Sequence, residues 1–211
     1  MILTPIPADD TAGALERFAA KLAHHSLALK VLRRIAASWP VTGEVDTPEQ
    51  RSQGVRLAHA FGIGTLDEEP MRAFMWDGKV IRTRIEASVI VHEVAHWLCC
   101  PPERRAALDF GLGAGPETGR MAEAEAALST DENTRQEEEC LTSLLGILWE
   151  AELGHPAILA FLEQNWLESI DRPSAIGYFT RMVDRLLADG LIDTDGRPVG
   201  PDIKLKASQE R

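Results

Sequence analysis

The sequence is poor in cysteine, and its few cysteines do not form a recognisable framework. There are three, Cys99, Cys100 and Cys140, and no two of them have the C-x-x-C spacing that structural zinc sites usually show. An odd number that includes a vicinal pair is also unlike the disulfide set of a small secreted domain. We therefore interpret these cysteines as buried free thiols in a reduced compartment.

Positive charge and long apolar runs are also scarce. Lys and Arg number 22 against 33 Asp and Glu, which gives a formal net charge of −11. This balance argues against nucleic acid or an anionic membrane as a direct partner, although it leaves a protein substrate possible. The N-terminal residues lack the basic and apolar regions of a secretion signal, and no apolar run approaches the roughly 18 residues of a membrane span. We expect a cytoplasmic protein.

The most informative feature present is an H-E-x-x-H motif, from His92 to His96, in a segment with helical periodicity. Residues i and i+4 lie on one face of an α-helix, so both imidazoles can reach one metal ion, with Glu93 beside them as a candidate base. The alternative is a pair of histidines that bind carboxylates in an ordinary core helix. Because the segment is apolar and buried imidazoles need partners, the motif favours a metal site.

A catalytic metal held by two histidines needs a third protein ligand. The only histidine after the motif is His155, in a predicted helix–helix turn. By contrast, Glu137, Glu138 and Glu139 begin a strongly apolar helix. Successive helical residues project about 100° apart, so no more than one or two of these carboxylates can point inwards. The acidic run is therefore the better source of the ligand. A solvated helix N-terminus is the alternative explanation of the run.

The patterning predicts a single enzyme domain over residues 1–200 and a flexible polar tail over 201–211. Within the domain we expect an N-terminal helix over 10–38, a metal-site core over 70–155 and C-terminal helices over 156–190. The predicted class is α+β, predominantly helical, with a small β-sheet or hairpin beside the H-E-x-x-H helix.

Individual elements follow from apolar spacing and from turn signals. Asp77-Gly78 is a strong hairpin turn signal. We expect the edge of the resulting small sheet either to hold an extended substrate or merely to cover the metal helix. The predicted elements are helices over 48–60, 85–100, about 129–154, 156–170 and 173–188, and hairpins over 71–83 and 191–199.

A wider set of residues resembles a known family. The match consists of His92-Glu93-x-x-His96-Trp97, Arg104-Arg105, Asp109-Phe110-Gly111 and Pro116. Together they are similar to the pattern of the bacterial elongation factor P hydroxylases. The match covers about residues 85–155. Two departures stand out, because Leu112-Gly113-Ala114-Gly115 replaces an aromatic-rich stretch and Leu141-Thr142-Ser143 replaces a Lys-Pro-Gln sequence.

The resemblance implies a zincin-like fold and a particular ligand set. Counting back from Gly154 at the end of the apolar helix makes Glu139 the carboxylate ligand, with Glu138 one position away. The implied metal is Fe²⁺, with Zn²⁺ as the alternative, since two His and one carboxylate suit both. The implied reaction is hydroxylation of a modified lysine side chain of a protein substrate, such as elongation factor P.

Arg104, Arg105 and Asp109 would then order the site from behind the ligands. For Asp109 we also consider contact with a cationic substrate, or an i,i+4 ion pair with Arg105. The motif alone supports a second hypothesis, a zinc metallopeptidase in which Glu93 activates water. A third hypothesis is a non-catalytic binding module that keeps the metal helix for stability.

Overall fold

A computed structural model describes residues 6, 8–70, 74–113, 120–167, 172 and 174–201. The described residues form eight α-helices and two short β-strands, so the architecture is mostly helical with a small sheet, as predicted. The strands are β1 (Gly64–Leu66) and β2 (Val80–Arg82). The helices are α1 (Thr11–Lys21), α2 (Ser26–Ala36), α3 (Pro48–Ala60), α4 (Ala87–Cys99), α5 (Met121–Ala127), α6 (Glu132–Leu153), α7 (Ala157–Glu163) and α8 (Ala175–Ala188).

The ends of α3 and α6 lie where local signals place them. Thr47 and Gln50 form a reciprocal capping box at the start of α3, and Pro48 occupies its first position. At the start of α6, the Asp131 carboxylate accepts hydrogen bonds from the backbone N–H groups of the next turn, and Gly154 ends the helix with a φ of 76°. The predicted range of α3, 48–60, is confirmed, and α6 begins three residues after the predicted 129 and ends one residue before the predicted 154.

The prediction of a single N-terminal helix over residues 10–38 is wrong. The chain forms two helices there, and His25 has a non-helical backbone with φ −117° and ψ 77° between them. Both helices bury an apolar stripe in the same core, so the apolar periodicity continues across the break. The break contains neither Gly nor Pro, and the pattern therefore gives no sign of it. Likewise α7 ends at Glu163, earlier than the predicted 170, and Asn165 follows in a left-handed conformation with φ 60°.

The prediction of a hairpin over residues 71–83 is wrong in its strand pairing. Asp77 and Gly78 do form a tight turn. In the described residues the two arms meet at an antiparallel bridge between Trp76 and Ile81 and at a 3.1 Å hydrogen bond from the N–H of Arg82 to the carbonyl of Met75. β2 pairs instead in parallel with β1, with Gly64 opposite Val80. Residues 71–73 lie outside the described residues. β1 is too short to show an alternating pattern, and its pairing is non-local.

The H-E-x-x-H helix, α4, lies between α3 and α6 at the centre of the fold. Glycines allow close approach on both sides. A Cβ at Gly54 of α3 would lie 3.1 Å from Ile90 Cγ2, and one at Gly146 of α6 would lie 3.4 Å from the Cα of His92. Ile90, Val91, Val94 and Ala95 are fully buried as a result. This packing fixes the position of the helix that presents the histidines.

The chain after α4 covers one end of that helix. Two short 3-10 segments, Pro102–Arg104 and Leu108–Gly111, place Phe110 in the core. Near the C-terminus, an antiparallel bridge between Ile192 and Pro198 supports the short hairpin predicted over 191–199. No helix in the described ranges is both long and apolar enough to cross a bilayer. The expected tail lies outside the described residues from 202 onwards.

Candidate metal centre

Three predicted ligands converge between α4 and α6. The ring centroids of His92 and His96 are 4.6 Å apart, with the ring planes at 87°. The Oε2 atom of Glu139 lies 3.6 Å from His96 Nε2 and 4.0 Å from His92 Nε2. Ligand atoms that each lie about 2.0–2.2 Å from one ion are roughly 3–4 Å apart, so these spacings suit a shared divalent cation. The cluster could therefore hold a metal ion.

The other acidic candidates point elsewhere. Glu138 forms a buried ion pair with Arg104, and Glu137 lies 3.5 Å from Arg185 on the surface. The three consecutive carboxylates thus diverge around α6, as the helical geometry requires. His155 is also engaged elsewhere, since its Nε2 atom lies 2.7 Å from the side-chain oxygen of Gln53. Of the alternatives left open by the sequence, only Glu139 faces the two imidazoles.

Burial keeps both histidines in the form that binds metal. Burial, followed by the neighbouring His96, lowers the pKa of His92 to about 3. The pKa of His96 is also lowered to about 3, first by burial and then by the positive charge of Arg104. Neutral imidazoles have the lone pair that a metal needs. Among the described residues, the buried Nδ1 atoms of both rings have no hydrogen-bond partner.

Three carboxyl groups, those of Glu93, Asp109 and Glu139, interact with one another at this site. Burial raises the pKa of Glu93 well above its ordinary value, with further contributions from Asp109 and Glu139. Burial and the charge of Glu139 raise the pKa of Asp109 to about 7. A divalent cation at the ligands would offset this repulsion, because it favours the ionised form of each carboxyl group. The donor set and its charge therefore fit a divalent metal.

Two aromatic residues outside the predicted ligand set fix the ring of His96. Phe110 stacks on His96 with a centroid distance of 5.3 Å and an interplanar angle of 18°, and Trp76 stacks on Phe110 at 5.1 Å and 3°. Asp109 and Phe110 have left-handed backbones, with φ of 41° and 55°. Non-glycine residues adopt this conformation at a cost and only when their surroundings enforce it. The sequence marked Phe110 only as part of a motif and gave no signal for Trp76.

Arg104 holds this strained turn against α6. One end of its guanidinium donates a 2.8 Å hydrogen bond to the carbonyl of Phe110, and the other pairs with Glu138. The residue therefore links the turn that positions His96 to the helix that carries Glu139. This contact agrees with the predicted supporting role of Arg104.

Arg105 supports the turn through different contacts from those expected. Its guanidinium lies 3.7 Å from the centre of the Trp97 ring, and its Nε donates a 3.2 Å hydrogen bond to the carbonyl of Cys100. In the described structure no ion pair joins Arg105 to Asp109, so the i,i+4 pair is wrong. The segment between them is not one continuous helix, and the i,i+4 relation does not apply.

The ligands open onto a groove of about 650 Å³. His92 and Glu139 line it, whereas His96 and Glu93 lie behind them. Neither β-strand contributes to the lining, so this groove does not use the sheet edge that we considered for the substrate. The lining residues are Glu86, Ser88, Val89, His92, Glu139, Cys140, Ser143, Gly146, Ile147, Glu150, Ala160, Glu163, Gln164 and Trp166.

Comparison of the chain with models of known protein families, with curated proteins and with solved structures finds no match. The resemblance to the elongation factor P hydroxylases therefore depends on the motif residues themselves.

Proposed function

We propose that this protein is a metal-dependent enzyme that hydroxylates a side chain of a protein substrate. The observation that supports the proposal is the convergence of His92, His96 and Glu139 at the wall of an open groove. Two imidazoles and one carboxylate are the donor set with which non-haem Fe(II) oxygenases leave positions free for dioxygen and substrate. The favoured metal is Fe²⁺, with Zn²⁺ as the alternative.

Hydroxylation needs dioxygen and an external donor of two electrons. One oxygen atom enters the substrate C–H bond, and the other leaves as water with two protons and the two donated electrons. The bound metal would supply the activation of dioxygen. The chain's own residues orient the ligands: Phe110 stacks on His96, and Arg104 fixes the carbonyl of Phe110.

Glu93 is the residue that separates this proposal from its alternative. In a zinc metallopeptidase, Glu93 would have to accept a proton from water in the open site. Here Glu93 is 8% exposed and does not line the groove. These properties support a structural carboxyl group rather than a base that meets substrate. The observation that favours the peptidase is the position of Glu93 beside His92 in the H-E-x-x-H motif.

The elongation factor P match makes that protein the first substrate to test. Protein purified and loaded with Fe²⁺ without oxygen would be mixed with lysyl-modified elongation factor P, dioxygen and a reductant. Mass spectrometry should then show one added oxygen atom. His92→Ala should abolish the product, and Glu93→Gln should retain it. Backbone cleavage by the Zn²⁺-loaded protein, lost in Glu93→Gln, would instead establish the peptidase.

A further inference from the structure

The groove continues far beyond the metal ligands and is strongly acidic. Four carboxylates line it, from Glu86, Glu139, Glu150 and Glu163, and none of its described lining residues is Lys or Arg. Only Glu139 belongs to the metal centre. Glu86 and Glu163 are exposed and reach solvent, whereas Glu150 is buried and requires a separate explanation.

Glu150 is the most informative of the three. It is 5% exposed, and no hydrogen bond or ion pair reaches its carboxylate among the described residues, yet it lines the groove. It also lines an adjoining cavity of about 210 Å³, where Asp46 adds another carboxylate. A buried carboxyl group without a hydrogen-bond or ion-pair partner is costly, so its presence at the groove requires an explanation.

The contrast with Glu152 shows that a solvated acidic face does not explain Glu150. Glu152, two residues later on α6, is partly exposed and lies 3.8 Å from Arg34 and 3.5 Å from Arg197. The outward carboxylate thus has two cationic neighbours, and the inward one has none. The only ionised neighbour that alters the pKa of Glu150 is another acid, Glu163, which together with burial raises that pKa to about 7.

Glu150 and the metal centre lie on one line along the groove. Glu139, Ser143, Gly146 and Glu150 are spaced four, three and four residues apart, so they share one face of α6. At 1.5 Å per residue, Glu150 is about 16 Å along the helix axis from Glu139. An extended ligand could therefore reach both ends. Trp166 in the groove wall offers an apolar and aromatic surface for an alkyl chain or a cation.

We propose that this groove binds a primary alkylammonium group between Glu150 and Glu163, on a substrate whose reacting atom lies at His92 and Glu139. The inference rests on the proposed function and deepens it by naming two residues, Glu150 and Glu163, that select the substrate. A primary ammonium group is compact and has three N–H donors. It can donate hydrogen bonds to the buried carboxylate of Glu150 and to the exposed carboxylate of Glu163 at the same time. A bare metal ion fits less well, because the described residues provide a three-ligand cluster only at His92, His96 and Glu139.

The ammonium contact can be tested on metal-free protein, independently of any reaction. Amide NMR shifts in the presence of EDTA would follow titration with acetyl-Gly-Lys-Gly-amide, with its norleucine analogue and with 1,5-diaminopentane. The lysine peptide or the diamine should shift the signals of Glu150, Ala160 and Glu163. The neutral norleucine peptide should bind at least about tenfold more weakly, the effect expected for loss of a charge-assisted contact. Comparison of the two cationic probes distinguishes a peptide side chain from a free polyamine.

Variants distinguish binding in the groove from attraction of the probe to the overall negative charge of the protein. Glu150→Gln should weaken binding of the cationic probe on the order of tenfold. The exposed Glu163→Gln should weaken it as well, and this variant serves if the buried substitution impairs folding. Glu69→Gln removes the same charge outside the groove and should leave binding unchanged. Equal binding of the lysine and norleucine peptides, or equal loss in all three variants, would overturn the assignment.

Metal binding distinguishes failure of this inference from failure of the proposed function. Co²⁺ affinity, measured by absorption, should be the same in Glu150→Gln as in the parent protein. If Co²⁺ binds normally but no ammonium probe binds, the groove assignment is wrong and the metal centre stands. If the probe binds but His92→Ala leaves Co²⁺ affinity unchanged, the metal centre is wrong and the groove assignment stands.

Discussion

Replacing Glu150 with Gln should change the pH dependence of stability by a measurable amount. Burial and the charge of Glu163 raise the pKa of Glu150 from 4.5 to about 7 in the folded protein. In the unfolded chain the carboxyl group is solvated and returns to its ordinary value. The folded state therefore binds an extra proton between these two pH values. The stability that this proton provides is fully present below pH 4.5 and is lost as the pH rises through about 7.

The size of the effect follows from the interval between the two pKa values. At about 1.36 kcal/mol per pH unit, the interval from 4.5 to about 7 corresponds to about 3 kcal/mol. The free energy of unfolding of the parent protein should thus fall by about 3 kcal/mol more than that of Glu150→Gln between pH 4.5 and pH 8. Gln adds no titration of its own, so any cost of burying its amide is the same at every pH.

Urea unfolding at a series of pH values, in EDTA, measures this difference. Other carboxyl groups also titrate in this range, so the informative quantity is the parent curve minus the variant curve. Glu69→Gln is the matched control and should follow the parent curve, because Glu69 is exposed. Parallel curves for the parent and Glu150→Gln would contradict this prediction, because they would show that Glu150 has the same pKa in the folded and unfolded states.

Three further predictions concern the metal centre. Glu139→Gln should lower Co²⁺ affinity, measured by absorption, by more than the roughly 10–100-fold typical of residues behind the ligands, whereas Glu137→Gln should leave it unchanged. Arg104→Met should destabilise the protein by about 3–5 kcal/mol in urea unfolding, because it leaves the buried carboxylate of Glu138 unpaired; a loss below about 1 kcal/mol would contradict this. Phe110→Ala should lower the free energy of unfolding by about 3–5 kcal/mol. It should also weaken Co²⁺ binding about 10–100-fold, because the imidazole of His96 loses the ring that stacks on it. Unchanged Co²⁺ affinity would show that this stack does not position His96.

Local signals in the sequence were sufficient to predict most helices and two of the three candidate metal ligands. The spacing of His92 and His96 places both on one helix face, and this depends only on the helical period. The capping residues of α3 and the glycine after α6 set helix ends for the same reason, since each acts within one turn. The choice of Glu139 came from the resemblance, and the periodicity alone left three acidic neighbours open.

The tertiary structure decided everything that depends on contacts between distant segments. It separated Glu139 from Glu138 through the position of Arg104, and it paired β2 with β1 rather than with the segment beyond the Asp77-Gly78 turn. It also stacked Phe110 on His96 and Trp76 on Phe110. It left Glu150 at the wall of a groove with no partner among the described residues. Periodicity records that a side chain is buried, but the identity of its neighbours is set only when helices and loops far apart in sequence pack together.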